Sequence, residues 1–184
     1  AEVLGLGTVR ERDLAQRQIG YRPGSFVAYP QLTGEQYLRF MANLRGGVDW
    51  SYTTSIAKRL DLDLNIRIGA MSHGNKQKVG IIAAFMHRPA LLILDEPTTG
   101  LDPLIQREFL GLVREARDSG RTVFLSSHIL YEVEAVADMV AILRRGRLVV
   151  VESVDTLKAQ AVRRIDLTFE GTPPLRQLEA IAGV

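Results

Sequence analysis

Apolar positions follow two rhythms along this chain. From about Leu32 to Gly69 they recur at helical spacing, and Tyr37, Phe40, Met41 and Leu44 form one stripe, three to four residues apart as a single helix face requires. Thr33 and Gln36 make a capping-box pair at its start, and Gly46 with Gly47 ends it. Ser51 to Leu60 is expected to form a second helix, with Ile56 and Leu60 on one face. A third should run from Ser72 to Met86 on the stripe Val79, Ile82, Ala83, Met86. Arg88-Pro89 stops it, because the residue before a proline avoids helical dihedrals.

From Leu91 the rhythm changes. Leu91 to Leu94 is a short unbroken apolar run, the pattern of a strand buried on both faces. Asp102 followed by Pro103 marks a helix start, and Gly120 marks its stop after about Asp118. Thr122 to Ser126 is expected to be a strand, Leu130 to Ala137 a helix and Met139 to Leu143 a strand. Arg144 to Arg147 then forms a tight turn, with Leu148 to Val151 as the hairpin partner. Strands alternating with helices predict a parallel α/β sheet, preceded by the helical insert. Ser153 to Ala161 is a further expected helix. Beyond it, Ile165 to Phe169 alternates like a half-buried strand and Pro174 to Ala182 suits a short helix. At the start, Glu2 to Leu6 resembles a strand.

Composition narrows the function. The 184 residues are 46% hydrophobic and 24% charged, with a net charge of +2, ordinary values for a globular protein. No block of five or six like charges occurs, so no basic nucleic-acid arm is indicated, and no nucleic-acid partner is expected. Without cysteine, a disulfide framework and a thiolate metal site are excluded. No apolar run approaches the ~20 residues of a membrane span, and no signal-peptide pattern is visible. The chain opens on Ala1 rather than Met, and both ends stop inside apparent elements. A piece cut at both ends is the expectation.

The candidate chemistry gathers where strands end. Ligands of open parallel sheets sit outside the carboxyl ends of the strands. Asp95-Glu96 leaves one such end and Ser126-Ser127-His128 another, so the two groups should converge on one edge. Asp95 suits Mg²⁺, which prefers carboxylate and water oxygens. Glu96 is placed to polarise a water, and His128 to meet that water or a transferring phosphoryl group. Taken singly, each has a plainer reading: Asp-Glu-Pro as a turn, Asp102 as a helix cap, His128 as a structural histidine. Met71 to Lys78 is similarly double. Ser72 with Gly74, Asn75 and Lys76 in a first helical turn makes an anion site, or an ordinary capped helix with a glycine in its first turn.

The order and spacing of Ser72-His-Gly-Asn75, Lys76-Gln-Lys78, Leu91 to Pro97, Thr99-Gly-Leu-Asp102 and Ser127-His128 resemble the nucleotide-binding domain of ABC transporter ATPases. Separate-chain efflux ATPases are the most similar in wording. The resemblance implies an α/β fold with a parallel-sheet P-loop NTPase-type core and a helical signature subdomain, the N-terminal part of the domain missing. It implies a partial ATPase domain over 1–157, with the helical subdomain at about 33–88 and the Walker B to H-loop core at 89–152. Residues 158–184 then begin a C-terminal extension. By the same resemblance, Ser72, Gly74 and Asn75 belong to the signature motif that contacts ATP on the opposite subunit. Asp95 lies on the Mg²⁺ side of Walker B, Glu96 is the general base, Asp102 ends a D-loop that crosses the dimer interface, and His128 is the switch histidine. ATP and Mg²⁺ are the implied cofactors. A membrane permease, docking on the helical subdomain, and a second ATPase subunit are the implied partners, at the cytoplasmic face of the cell membrane.

Three departures qualify this. His73 and Asn75 stand where the signature usually has Gly and Gln. Gly24 stands where the Q-loop glutamine is expected after Gly20-Tyr-Arg-Pro23, so coupling between permease and metal must be carried by a neighbour or is weakened. The four lysines, Lys58, Lys76, Lys78 and Lys158, include none in a Gly-x-x-x-x-Gly-Lys-[Ser/Thr] loop. The chain by itself is therefore expected to bind ATP poorly and to be inactive. The alternatives are a non-transport ABC ATPase working on ribosomes or DNA, and a degenerate regulatory half that contributes only its signature face.

Overall fold

A computed structural model describes residues 1–160. The chain divides into two compact units, Ala1–Ala137 and the residues from Asp138 onward. The expected strand and helix beyond Arg163 lie outside the described residues.

The first unit begins with two short antiparallel strands, β1 (Glu2–Val3) and β2 (Leu6–Gly7). The single strand expected over Glu2 to Leu6 is therefore a tight hairpin. Leu4 and Gly5, both at positive φ, turn the chain. Helix α1 (Arg12–Arg17) follows, then strand β3 (Ile19–Arg22). Neither was evident from apolar rhythm.

Between β3 and the next strand lies the helical insert. Helix α2 (Gly34–Leu44) starts at a complete capping box: Thr33 Oγ1 accepts from the Gln36 amide and Gln36 Oε1 accepts from the Thr33 amide. Helix α3 (Trp50–Arg59) is capped by Asp49, whose Oδ1 accepts from the Ser51 and Tyr52 amides. A short 3₁₀ turn (Ile68–Ala70) leads to α4 (His73–Phe85). Every residue of α4 from Gln77 to Phe85 is buried, as expected of a helix at the centre of its domain rather than at its surface. The insert therefore does not precede the sheet. It is inserted between two neighbouring strands of it.

Strand β4 (Leu91–Asp95), helix α5 (Pro103–Asp118), strand β5 (Thr122–Ser126) and helix α6 (Leu130–Val136) complete the unit. The parallel sheet has the order β3-β4-β5. Arg22 pairs with Leu94, and Asp95 with Ser126. Side chains of a strand alternate between faces. Gly20, Arg22, Leu92 and Leu94 are buried on one face, whereas Tyr21 (58% exposed) and Phe124 (66%) stand open on the other. The expectation that β4 is buried on both faces fails for this reason: Ile93 is flanked by those two exposed aromatic residues and is itself only half-buried.

One hydrophobic cluster joins the insert to the sheet, from Tyr37 and Leu38 through Ile82 and Phe85 to Leu92, Phe109 and Val136. Phe85 meets Phe109 edge to face at 6.3 Å between ring centres. Gly20 is required where α4 crosses β3. A Cβ there would come within 2.2 Å of the Ala84 carbonyl oxygen.

The second unit is an antiparallel hairpin, β6 (Met139–Arg144) and β7 (Arg147–Ser153), followed by α7 (Val154–Gln160). Arg145 and Gly146 both have positive φ, which gives the two-residue turn that matches strand twist. The sequence pattern placed Met139 to Leu143 in the parallel sheet. It also gave that strand Leu148 to Val151 as a hairpin partner, and among the described residues the hydrogen-bonded partner of β6 is β7.

Candidate active site

The acids at the end of β4 are held by their neighbours across the sheet. Since Asp95 and Ser126 are register partners, the Ser126 hydroxyl reaches Asp95 Oδ1 at 2.6 Å. The same hydroxyl accepts from the Glu96 amide at 3.0 Å, and that amide also lies 3.2 Å from the Ser126 carbonyl oxygen. Asp95 Oδ2 accepts from the Gly24 amide at 3.2 Å. A Cβ at position 24 would approach this carboxylate oxygen to 2.9 Å. Gly24 thus meets Asp95 through its backbone, and there is little room for a side chain.

Glu96 has φ of +45°. This left-handed conformation costs a non-glycine residue roughly 1–2 kcal/mol, and it is sustained here by bonds on both sides of the peptide. The turn brings the Glu96 carboxylate to His128, with 2.7 Å between Oε2 and Nδ1. An ionised carboxylate only accepts, so Nδ1–H donates and Nε2 is left as the second working nitrogen of the ring. The His128 side chain is 73% exposed and that of Glu96 34%. His128 is positioned from behind by Ser127, whose hydroxyl donates to the buried Glu132 carboxylate at 2.7 Å and accepts from the Ile129 amide.

The second group of predicted residues lies at the start of α4. Ser72 is its N-cap, accepting from the Asn75 amide at 3.2 Å. Gly74 packs on the turn after β4. A Cβ there would lie 2.8 Å from the Gly100 carbonyl oxygen, and one at Gly100 would lie 2.7 Å from the His73 ring. Asp102 caps α5, with Oδ1 accepting from the Leu104 and Ile105 amides at 3.1 Å each. The structure therefore brings Asp95, Glu96 and His128 together, puts Ser72, Gly74 and Asn75 on one helix start, and gives Asp102 a capping role within its own chain.

Three polar residues in or beside this site carried no role in the sequence reading. Ser126 bonds both acids. Arg22, fully buried, donates to the carbonyl oxygens of Asp95 at 2.5 Å and Glu96 at 3.0 Å. Gln77 accepts from Arg22. Burial pulls the Arg22 guanidinium below its usual pKa, while the charges of Asp95 and Glu96 pull it back up. A strand partner signals such residues only once the register is known.

Among the described residues, no group of three or more His, Cys, Asp or Glu is arranged to hold a metal by itself. Mg²⁺ delivered with a nucleotide takes one or two carboxylates and fills its remaining positions with phosphate and water oxygens. The exposed Asp95 carboxylate is the ligand on offer.

The comparisons with known proteins follow this geometry. Residues 13–134 match the family model described as "AAA domain, putative AbiEii toxin, Type IV TA system". The solved structure of an ATP-binding subunit of an ABC transporter superposes with a TM-score of 0.77 at 32% identity, covering 86% of this chain and 68% of that one. The chain belongs to the ABC transporter ATP-binding proteins. Within that family it is 41% identical over 124 residues to the bacitracin transport ATP-binding protein BcrA of Enterococcus faecalis, covering 66% of this chain and 40% of BcrA. The chain thus spans less than half of that relative. The dimeric structure of MJ0796, a bacterial ABC transporter cassette, shares the fold, with a TM-score of 0.68 at 20% identity over 77% of this chain and 67% of that one. For an ABC ATP-binding protein, the α/β core with its parallel sheet is the expected architecture. No helix among the described residues is long and apolar enough to cross a membrane.

Proposed function

We propose that this chain is part of the ATP-hydrolysing subunit of an ABC exporter, coupling MgATP hydrolysis at a head-to-tail dimer interface to transport through a separate membrane permease. The observation that carries the catalytic part is the Glu96–His128 hydrogen bond beside Asp95. Glu96 takes a proton from the attacking water, and His128 fixes the carboxylate and offers Nε2 to that water or to a phosphoryl oxygen. Asp95 would hold Mg²⁺, which would supply neutralisation of phosphate charge when bound. Ser72, Gly74 and Asn75 present capped amides and a hydroxyl to ATP on the second subunit, and Asp102 lies at the same interface. In this reading the helical subdomain spans about 33–88 and the Walker B to H-loop core 89–152.

Three features support the partners. MJ0796, which shares the fold, is described as dimeric, and BcrA is named for transport of bacitracin. An apolar cleft of about 310 Å³, lined by Phe26, Val27, Ala28, Pro30, Ile68 and Lys76 among others, offers a permease segment a seat beside the insert. The protein would then lie peripherally at the cytoplasmic face of the cell membrane.

The test is Glu96→Gln in the intact protein. Steady-state ATP hydrolysis should fall about 10²-fold or more, with an ATP-bound dimer accumulating on size exclusion. An unchanged hydrolysis rate removes Glu96 from the role of base. The 184-residue chain alone should bind ATP weakly, and micromolar affinity by calorimetry would contradict that expectation.

A further inference from the structure

Arg22 occupies an inward position of β3 with no solvent exposure, where the strand pattern calls for an apolar side chain. A buried charge costs several kcal/mol unless its donors are satisfied. Here the two terminal nitrogens are directed at specific partners, while Nε has none among the described residues. One terminal nitrogen donates to the carbonyl oxygens of Asp95 and Glu96, and the other to Gln77 Oε1 on α4. The Glu96 carbonyl oxygen, part of the left-handed turn, also accepts from the Thr99 amide at 3.2 Å. Since a guanidinium can only donate, Gln77 must turn its oxygen to Arg22 and its NH₂ group to His73. Gln77 Nε2 lies 3.0 Å from His73 Nε2, so that ring nitrogen accepts and the proton of the neutral ring sits on Nδ1. The His73 ring in turn packs on Gly100.

We propose that Arg22 is a positioning residue for the hydrolytic turn: it holds Glu96 in the left-handed conformation that meets His128, and ties that conformation to the start of α4 through Gln77 and His73. With Gly24 touching Asp95 only through its backbone, Arg22 is the side chain that links β3 to this edge. The inference rests on the reading of Glu96 as the base.

In the intact protein, Arg22→Met should lower kcat for ATP at least tenfold while KM for ATP changes less than twofold. The double variant Arg22→Met/Gln77→Leu replaces the buried polar pair by apolar groups of similar size, so it should unfold at or above the temperature of the single variant while its kcat stays low. It also carries the test if the single variant does not fold. A kcat within twofold of wild type in either variant overturns the proposal, because Arg22 would then only satisfy Gln77. Amide hydrogen exchange of Glu96 to Thr99 should accelerate in both variants, and unchanged protection also overturns it. Absence of hydrolysis in the wild type would count against Glu96 as base, while the exchange measurement would still decide whether Arg22 holds the turn.

Discussion

The two groups of candidate residues are built differently. At the end of β4 each acid has partners drawn from elsewhere in the chain: Ser126 and Gly24 on Asp95, His128 on Glu96. The backbone there is strained, and its strain is stabilised by bonds from two strands, β3 through Arg22 and β5 through Ser126. At the start of α4 the polar groups satisfy their own helix. Ser72 caps it, and the two glycines serve close packing of Gly74 on Gly100. The first region contains acids and a histidine in contact, the arrangement that the proposed proton transfer would use. The second spends its capping hydroxyl on its own helix, and in the proposed function it would receive an anion held by a second subunit.

That contrast can be broken by experiment. The largest effect is expected from His128→Ala, which should lower kcat in the intact protein about 10²-fold with an unchanged melting temperature, because the ring is mostly exposed. A variant that loses stability instead would make His128 structural. Ser126→Ala should cost about 1 kcal/mol, the net worth of a hydrogen bond to an exposed carboxylate, and it should slow turnover roughly tenfold. Denaturant unfolding and steady-state kinetics on one preparation separate the two.

The far end of α4 gives a pH prediction. His87 Nε2–H donates to the Ile19 carbonyl oxygen at 3.2 Å. Burial and then the charge of Arg45 push its pKa down from 6.5 to about 4. Between these values the unfolded chain binds a proton that the folded chain refuses. Stability should therefore fall as pH drops from 6.5 to about 4, by about 1–2 kcal/mol after allowing for partial solvent screening, with no further loss from this group below 4. Melting curves of wild type and His87→Gln should converge over that window if His87 is responsible. The smallest effect is Ser72→Ala, a lost N-cap worth about 1 kcal/mol, read by thermal unfolding. A much larger loss would mean that Ser72 holds more than its own helix.

Elements with local punctuation were legible in the sequence. Thr33 with Gln36, Ser72, and Asp102-Pro103 each announce a helix start within four residues, and each cap is present. Strand β3 was not legible, because its pattern is inverted: Gly20 and Arg22 face inward while Tyr21 faces out. The pairing of β6 with β7, by contrast, was legible, because the turn at Arg144 to Arg147 is itself local punctuation between two short apolar runs.

By itself, the sequence determined the order of motifs, the helix ends and the presence of acids after a buried strand. These depend on residues close together in the chain. Only the tertiary structure decided what holds those acids. Ser126 reaches Asp95 from 31 residues away, and Arg22 reaches the same residue's carbonyl from 73 residues away. Such contacts follow from strand register and from which strands become neighbours, and no local pattern of polar and apolar residues encodes either.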